Sequence, residues 1–357
     1  MNRFHTVTLG RNNVVLDTAV GHLRRLALGD LAPLHTAPWV NDEPIVADTG
    51  TAPTEQALSG DFLCAPFCAN DVNGGPIHGW TANAPWSLAD EAAGAASFVL
   101  SRDVQGARVT KTLSFREGEP FLYQRHDFSG GTGEMPIGHH AMIRVAGTAA
   151  LSFSPKQLVF TPPDAPERDP SRGRSLLAYP TSGPDLSAIR FVDGRPADLG
   201  TYPFAERHED IVSMAEAGDS RLGWTAAVRD AENDIVLLLR DARTFPCTSL
   251  WMSNGGRNYA PWNGRHTRVL GLEDTRSYGT AGHRAGIGPS PMREAGLATA
   301  FDLGTDPVLR YAIGAIPRPA GWTRVAGLTL DGGGLTLTDA SGATITVPCS
   351  RGMIFGD

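Results

Sequence analysis

Glycine and proline recur as punctuation between short apolar runs along this chain, 41 and 26 of them in 357 residues. Proline fixes φ and removes a backbone donor, while glycine opens backbone conformations that other residues avoid. Short runs between such breakers suit strands and turns rather than long helices. The clearest is ARVTKTLSF, residues 107–115. Ala107, Val109, Leu113 and Phe115 share one face, with Lys111 the exception, and Arg108, Thr110, Thr112 and Ser114 share the other. A period of two with one apolar face is a strand packed on one side. Similar runs fall at 96–103, 151–160, 222–230 and 234–240, and 324–347 reads as a hairpin pair turning around 331–334. Residues 18–28, TAVGHLRRLAL, suit one short amphipathic helix or equally a strand and a turn. Residues 161–175 form a polar loop too short to be a linker. No βαβ alternation and no internal repeat is present, which disfavours Rossmann and barrel folds. The expected fold is all-β, a large antiparallel β-sandwich forming a single domain over residues 1–357.

Charge and apolar content narrow the function classes. Hydrophobic residues make up 41% and charged residues 19%, as in globular proteins. The formal net charge of -7 is spread along the chain, and no stripe of Lys or Arg gathers. Nucleic acid and membrane are therefore not expected partners. No run approaches the ~18 apolar residues of a membrane helix. The opening residues lack the apolar core of a secretory signal, so the chain reads as mature and cytoplasmic. Four cysteines, Cys64, Cys68, Cys247 and Cys349, make no disulfide framework. No second pair joins Cys64 and Cys68 to complete a zinc set, so no metal is expected.

Four patches gather aromatic, amide, histidine and carboxylate residues outside the clean strand patterns: 60–86, 123–145, 202–210 and 249–275. Sugar rings offer apolar C–H faces and a rim of hydroxyls, which tryptophan and the Asn, Arg and His side chains answer. Trp80, Trp86, Trp251 and Trp262 lie in or beside these patches, though tryptophans also pack under loops. His78 stands between Ile77 and Gly79, where the backbone can turn sharply. His139 and His140 are neighbours in a strand-like run, so they face opposite ways. His139 shares its face with Ala141, Ile143 and Val145, which reads as core and points His140 to the other side. Glu273 closes the run RVLGLE, where a strand leaves its core. Buried there, its carboxyl would rise in pKa toward a useful general base. A salt bridge from Glu273 to Arg265 or Arg268 is the plainer alternative.

Three of these segments, in this order, carry a resemblance to a known family. HGWTANAPW (78–86), GHHAMI (138–143) and VLGLEDT (269–275) resemble motifs of the aldose 1-epimerase (galactose mutarotase-like) superfamily, and scattered similarity spans roughly 60–275. The resemblance implies a β-sandwich with a concave sugar cleft. It implies that Glu273 takes the anomeric proton, that His140 protonates the ring oxygen, and that His78 hydrogen-bonds the ring or anomeric region and shares the acid role. It further implies a carbohydrate substrate and no cofactor. Asn70, Asp71, Trp80, Asn83, Arg125, His139, Asn254, Arg257 and Trp262 are the residues expected to bind substrate. The arginine-bearing segment of galactose mutarotases is replaced here by CAPFCAND (64–71), which offers Asn70 and Asp71 instead.

Two other functions fit the same patches. A carbohydrate lyase or a glycoside hydrolase on a similar sandwich would need a second carboxylate, for which Glu209 and Asp210 are available. A sugar-binding or sensing protein would keep the tryptophans and have no need of Glu273.

Overall fold

In the computed structural model of the protein, which describes residues 3–357, two large antiparallel sheets face each other. One has eight strands. Its spatial order is Ser182–Gly183, Lys156–Phe160, His208–Glu216, Cys247–Asn254, Val269–Arg276, Ile137–His139 and Leu63–Cys64, with Ala141–Arg144 also paired to Val269–Arg276. The other has nine, running Thr201–Tyr202, Ala149–Phe153, Leu222–Arg229, Asp234–Asp241, Val308–Pro317, Phe121–Ser129, Arg108–Ser114, Ala95–Leu100 and Trp86–Ala92. Leu250, Leu270, Leu272 and Ile143 of the first meet Leu113, Leu122, Leu238 and Ile313 of the second in one buried core. Each such side chain contributes ~1.5–3 kcal/mol by leaving water. The expected antiparallel β-sandwich is the fold.

The nine-stranded sheet is apolar on both faces. Phe121, Tyr123, Trp224, Ile235 and Leu237 point away from the sandwich core and are buried in a second cluster. It is closed by the C-terminal sheet Val325–Asp331, Gly334–Asp339, Thr344–Val347 and the helix Arg351–Phe355. This double burial explains why residues 235–239 read as an unbroken apolar run rather than an alternation.

Two sequence readings resolve differently from their simplest form. Residues 18–21 turn and His22–Ala27 is a strand paired to Asn12–Asp17, so the helix option fails. The run 151–160 is two strands, Ala149–Phe153 and Lys156–Phe160, in different sheets. Pro155 lies between them and breaks the ladder. Lys111, the exception in its strand, is buried. Its ammonium donates to the Gly21 carbonyl at 2.5 Å and lies 5.0 Å from the Trp86 ring centre.

Candidate active site

The outer face of the eight-stranded sheet carries the site. Side chains of directly paired residues in antiparallel strands share a face. Ser249 pairs with Glu273 and Trp251 with Gly271, while Met142 also pairs with Gly271. Glu273, Trp251, Met142 and therefore His140 all project outward. Gly271 makes this possible: a Cβ there would come within 2.9 Å of both Glu273 Oε1 and the Trp251 Cβ.

A cavity of about 580 Å³ lies over this face. Its wall holds His78, His140, Glu273, Trp251, Trp262 and Arg257, with Cys68, Thr54, Glu55, Leu58, Ile211 and Tyr278. Pro162, Pro163, Asp164 and Pro166, from the polar loop, close one side. A cleft with aromatic faces and a few convergent polar groups suits a small organic ligand.

Within it, His140 Nε2 lies 3.2 Å from Glu273 Oε1. Glu273 is 2% exposed and His140 6%. Among the described residues no Arg or Lys forms an ion pair with Glu273. Arg265 pairs with Asp42 at 2.6 Å and Arg268 with Glu206 at 3.5 Å, so the salt-bridge alternative fails. Burial without a cation, helped by the neighbouring Asp274, pushes the Glu273 carboxyl up to about 8. Burial, and then the nearby His78, holds His140 well below its ordinary value. The His140 ring stacks on Phe62 at 4.6 Å and stands edge-on to Trp251 at 5.4 Å, which fixes its plane.

His78 stands at right angles to His140, ring centres 5.0 Å apart. Its backbone occupies the left-handed region at φ 64°, which few residues other than glycine adopt. Local bonds hold it there. His78 N–H donates to the Cys68 carbonyl at 2.8 Å, and Cys68 N–H donates to His78 Nδ1 at 3.3 Å. Because Nδ1 accepts, the neutral ring carries its proton on Nε2. Burial pushes His78 down to about 4, so neutral is its ordinary state. The next residue must be glycine: Gly79 has φ 67°, and a Cβ there would fall 1.8 Å from the Ala65 carbonyl oxygen.

The structure separates the remaining expected residues. Arg257 and Trp262 stand in the wall, the guanidinium 4.4 Å from the Trp262 ring centre. Arg257 also lies 3.5 Å from Glu209, whose carboxylate accepts from Trp251 Nε1 and from Ser253 Oγ at 3.0 Å.

The others lie outside the cavity wall. His139 faces the core, stacked on Tyr311 at 4.1 Å, with Nδ1 2.8 Å from Asp61. The same Asp61 accepts from the His140 backbone at 3.0 Å, so His139 anchors its neighbour rather than meeting the ligand. Asn83 is spent on backbone. It donates to the Ile77 and Gly79 carbonyls at 2.8 and 2.7 Å and accepts from Thr54 N–H at 2.9 Å. It therefore clamps both sides of His78. Asn254 likewise donates to the Ala205 carbonyl and accepts from Arg268 N–H. Asp71 accepts from Arg284 N–H, and Asn70 beside it is also off the wall. Trp80 packs under Arg102, and Arg125 lines a different cavity. Sequence reading missed Glu55 and Thr54, on the one-turn helix Pro53–Gln56, and Tyr278, in a bend after Val269–Arg276, all of which reach the cavity. No periodicity marks such segments.

No family model and no curated protein matches this chain. Solved structures do. An Escherichia coli K12 protein provisionally named an aldose 1-epimerase matches with TM-score 0.57 and 13% identity, over 88% of this chain and 98% of its own. A galactose mutarotase-like protein from Lactobacillus casei ATCC 334 matches with TM-score 0.52 and 11% identity, over 88% and 100%. A galactose mutarotase related enzyme from Lactobacillus acidophilus matches with TM-score 0.51 and 12% identity, over 89% and 98%. The likeness is one of fold: this chain has the galactose mutarotase-like sandwich. Among the described residues no helix is long and apolar enough to cross a membrane.

Proposed function

We propose that the protein is an aldose 1-epimerase-like isomerase, interconverting the anomers of a sugar by ring opening and closure. The observation that carries this reading is the contact between His140 and Glu273 inside an aromatic cavity. In a hemiacetal, the anomeric hydroxyl and the ring oxygen are bonded to the same carbon. The base serving one and the acid serving the other must therefore reach two oxygens on one carbon from within the same cavity. A buried carboxyl 3.2 Å from an imidazole meets that requirement.

With Glu273 raised and His140 lowered, the pair holds one mobile proton near neutral pH, and it rests on Glu273. Ligand dipoles that favour the ion pair move it onto His140. Glu273 then takes the anomeric proton while His140 gives its proton to the ring oxygen, and the C1–O5 bond breaks to leave the open-chain aldehyde. Rotation about C1–C2 and reversal of both transfers gives the other anomer. The sugar gains and loses no atoms, and the pair regains its starting proton count. His78, neutral with its proton on Nε2, is a hydrogen-bond donor to the anomeric region. Trp251 and Trp262 cover the sugar's C–H faces, and Arg257 answers hydroxyls.

Hydrolysis is the weaker reading. Asp274 and Asp210 face the core, held by Arg240 and by His208, and Glu209 is held by Trp251, Ser253 and Arg257. Glu55 and Asp164, both in the cavity wall, are left as candidates for the second carboxylate.

The test is anomer exchange on freshly dissolved aldoses, followed by NMR or polarimetry. Acceleration that Glu273→Gln abolishes is the expected result. No acceleration of any aldose, with sugar binding untouched by that change, would leave a sensor. Release of reducing ends from an oligosaccharide would make it a hydrolase.

A further inference from the structure

On the opposite face of the sandwich, the cover over the nine-stranded sheet stops short and leaves a second cavity of about 640 Å³. Four guanidinium groups line it: Arg116, Arg125, Arg310 and Arg351. Thr112, Arg125 and Arg310 form one row across three neighbouring strands, since Arg125 pairs with both of the others. Arg125 alternates with the inward Gln124, which donates to Asp61 at 2.6 Å, so the row faces outward. Arg351 and Arg116 close the sides.

The charges here do not cancel. Arg125 is answered by Asp127, with bonds of 2.9 Å from Nε to both carboxylate oxygens. Arg351 is answered by Asp357 at 2.8 Å, but Asp357 also serves Arg221 at 3.0 Å. Arg116 reaches across to the Met353 sulfur at 3.5 Å, a weak acceptor that carries no charge. Arg310 packs against Gly356 and has no carboxylate partner among the described residues. Like charges directly opposite on paired strands repel, and Arg125 and Arg310 are such a pair. An arrangement of this kind is relieved by an anion with several oxygens.

We infer that this depression is a second ligand site, for the phosphoryl group of a small phosphorylated molecule or for phosphate itself. Guanidinium forks match the tetrahedral oxygens of phosphate two at a time, and the Ser114 hydroxyl stands in the same wall, while those of Thr112 and Ser350 are held by Ser97 and Glu119. A nucleic acid is not the ligand, because the chain as a whole is acidic. The site lies on the far side of the core from Glu273, so its occupancy and anomer exchange can be read separately.

The test is calorimetry on the whole protein at low salt, titrating inorganic phosphate and, separately, a hexose 6-phosphate. Binding that weakens about tenfold in each of Arg310→Gln and Arg116→Gln, with sugar anomer exchange unchanged, is the expected result. Equal affinity for the two probes would assign free phosphate, and tighter binding of the ester a phosphorylated metabolite. Three results would overturn the inference. These are no binding of either probe at millimolar concentration, binding indifferent to both substitutions, and binding displaced by a neutral sugar that occupies the Glu273 cavity. Arg310→Lys guards against a folding artefact, since it keeps the charge but loses the fork and is expected to fall between the two.

Discussion

Glu273 and Asp274 are consecutive carboxylates on one strand, both buried, and they lead opposite lives. Asp274 points into the core, where it accepts from Thr248 Oγ1 at 2.8 Å and Tyr311 OH at 3.0 Å and lies 3.0 Å from the Arg240 guanidinium. Glu273 points outward, and among the described residues the only basic group within ion-pair distance of it is an imidazole held well below its ordinary pKa. A cation with two hydroxyls makes a carboxylate a fixture. Burial beside a group that can take or release a proton makes one a titrating centre.

Substitution along this strand can break the comparison. Glu273→Gln should lower the anomer-exchange rate by about 10³-fold with the fold intact, measured by NMR exchange beside circular dichroism. Asp274→Asn should do the reverse. It removes one of the two carboxylates that hold the buried Arg240, leaving Glu216, and should cost ~2 kcal/mol in urea unfolding, with activity per folded molecule nearly kept. If both substitutions lost activity and stability alike, the two faces would not differ in role.

The pH profile sharpens the same contrast. The competent pair carries one mobile proton. The rate should therefore fall as pH rises through about 8, where Glu273 loses it. It should fall again on the acid side, where the lowered His140 gains a second proton. The folded carboxyl at about 8 lies above its ordinary 4.5, so between those values the folded state holds more protons than the unfolded. Stability should drop as pH climbs through that window, and Glu273→Gln should remove this drop in thermal melts.

Smaller effects are expected at the supports. His140→Gln should slow exchange by about 10²-fold and His78→Asn by about tenfold, since the first moves a proton and the second lends a hydrogen bond. Asn83→Ala, which leaves the Ile77 and Gly79 carbonyls without their donor, should cost ~1–2 kcal/mol and carry a loss like that of His78→Asn. A site effect from Asn83→Ala larger than that of His78→Asn would mean that Asn83 touches the ligand.

The fold was legible wherever alternation was clean. Residues 107–115 and the turn at 331–334 lie as the period of two implies. Residues 151–160 misled because two strands from different sheets abut at Pro155, and a local pattern carries no record of which sheet a strand joins. Within the site, face alternation placed His139 and His140 on opposite sides, and the cavity lies on the His140 side. The amides misled. Asn83 and Asn254 have the chemistry of sugar ligands, but loops as tortuous as these leave backbone groups that need partners, and the amides serve those first. Glu55 and Tyr278 were invisible because only the tertiary path brings their segments to the cavity.

The doubly apolar nine-stranded sheet has a consequence for biosynthesis. Trp224, Ile235 and Leu237 are finished in the growing polypeptide long before Leu335, Leu337 and Ile354, which shield them, leave the ribosome. Until then one side of the sandwich is a greasy plate facing water. A chain truncated after residue 320 and released should adhere to chaperones or to its own kind, even with every group around Glu273 already in place.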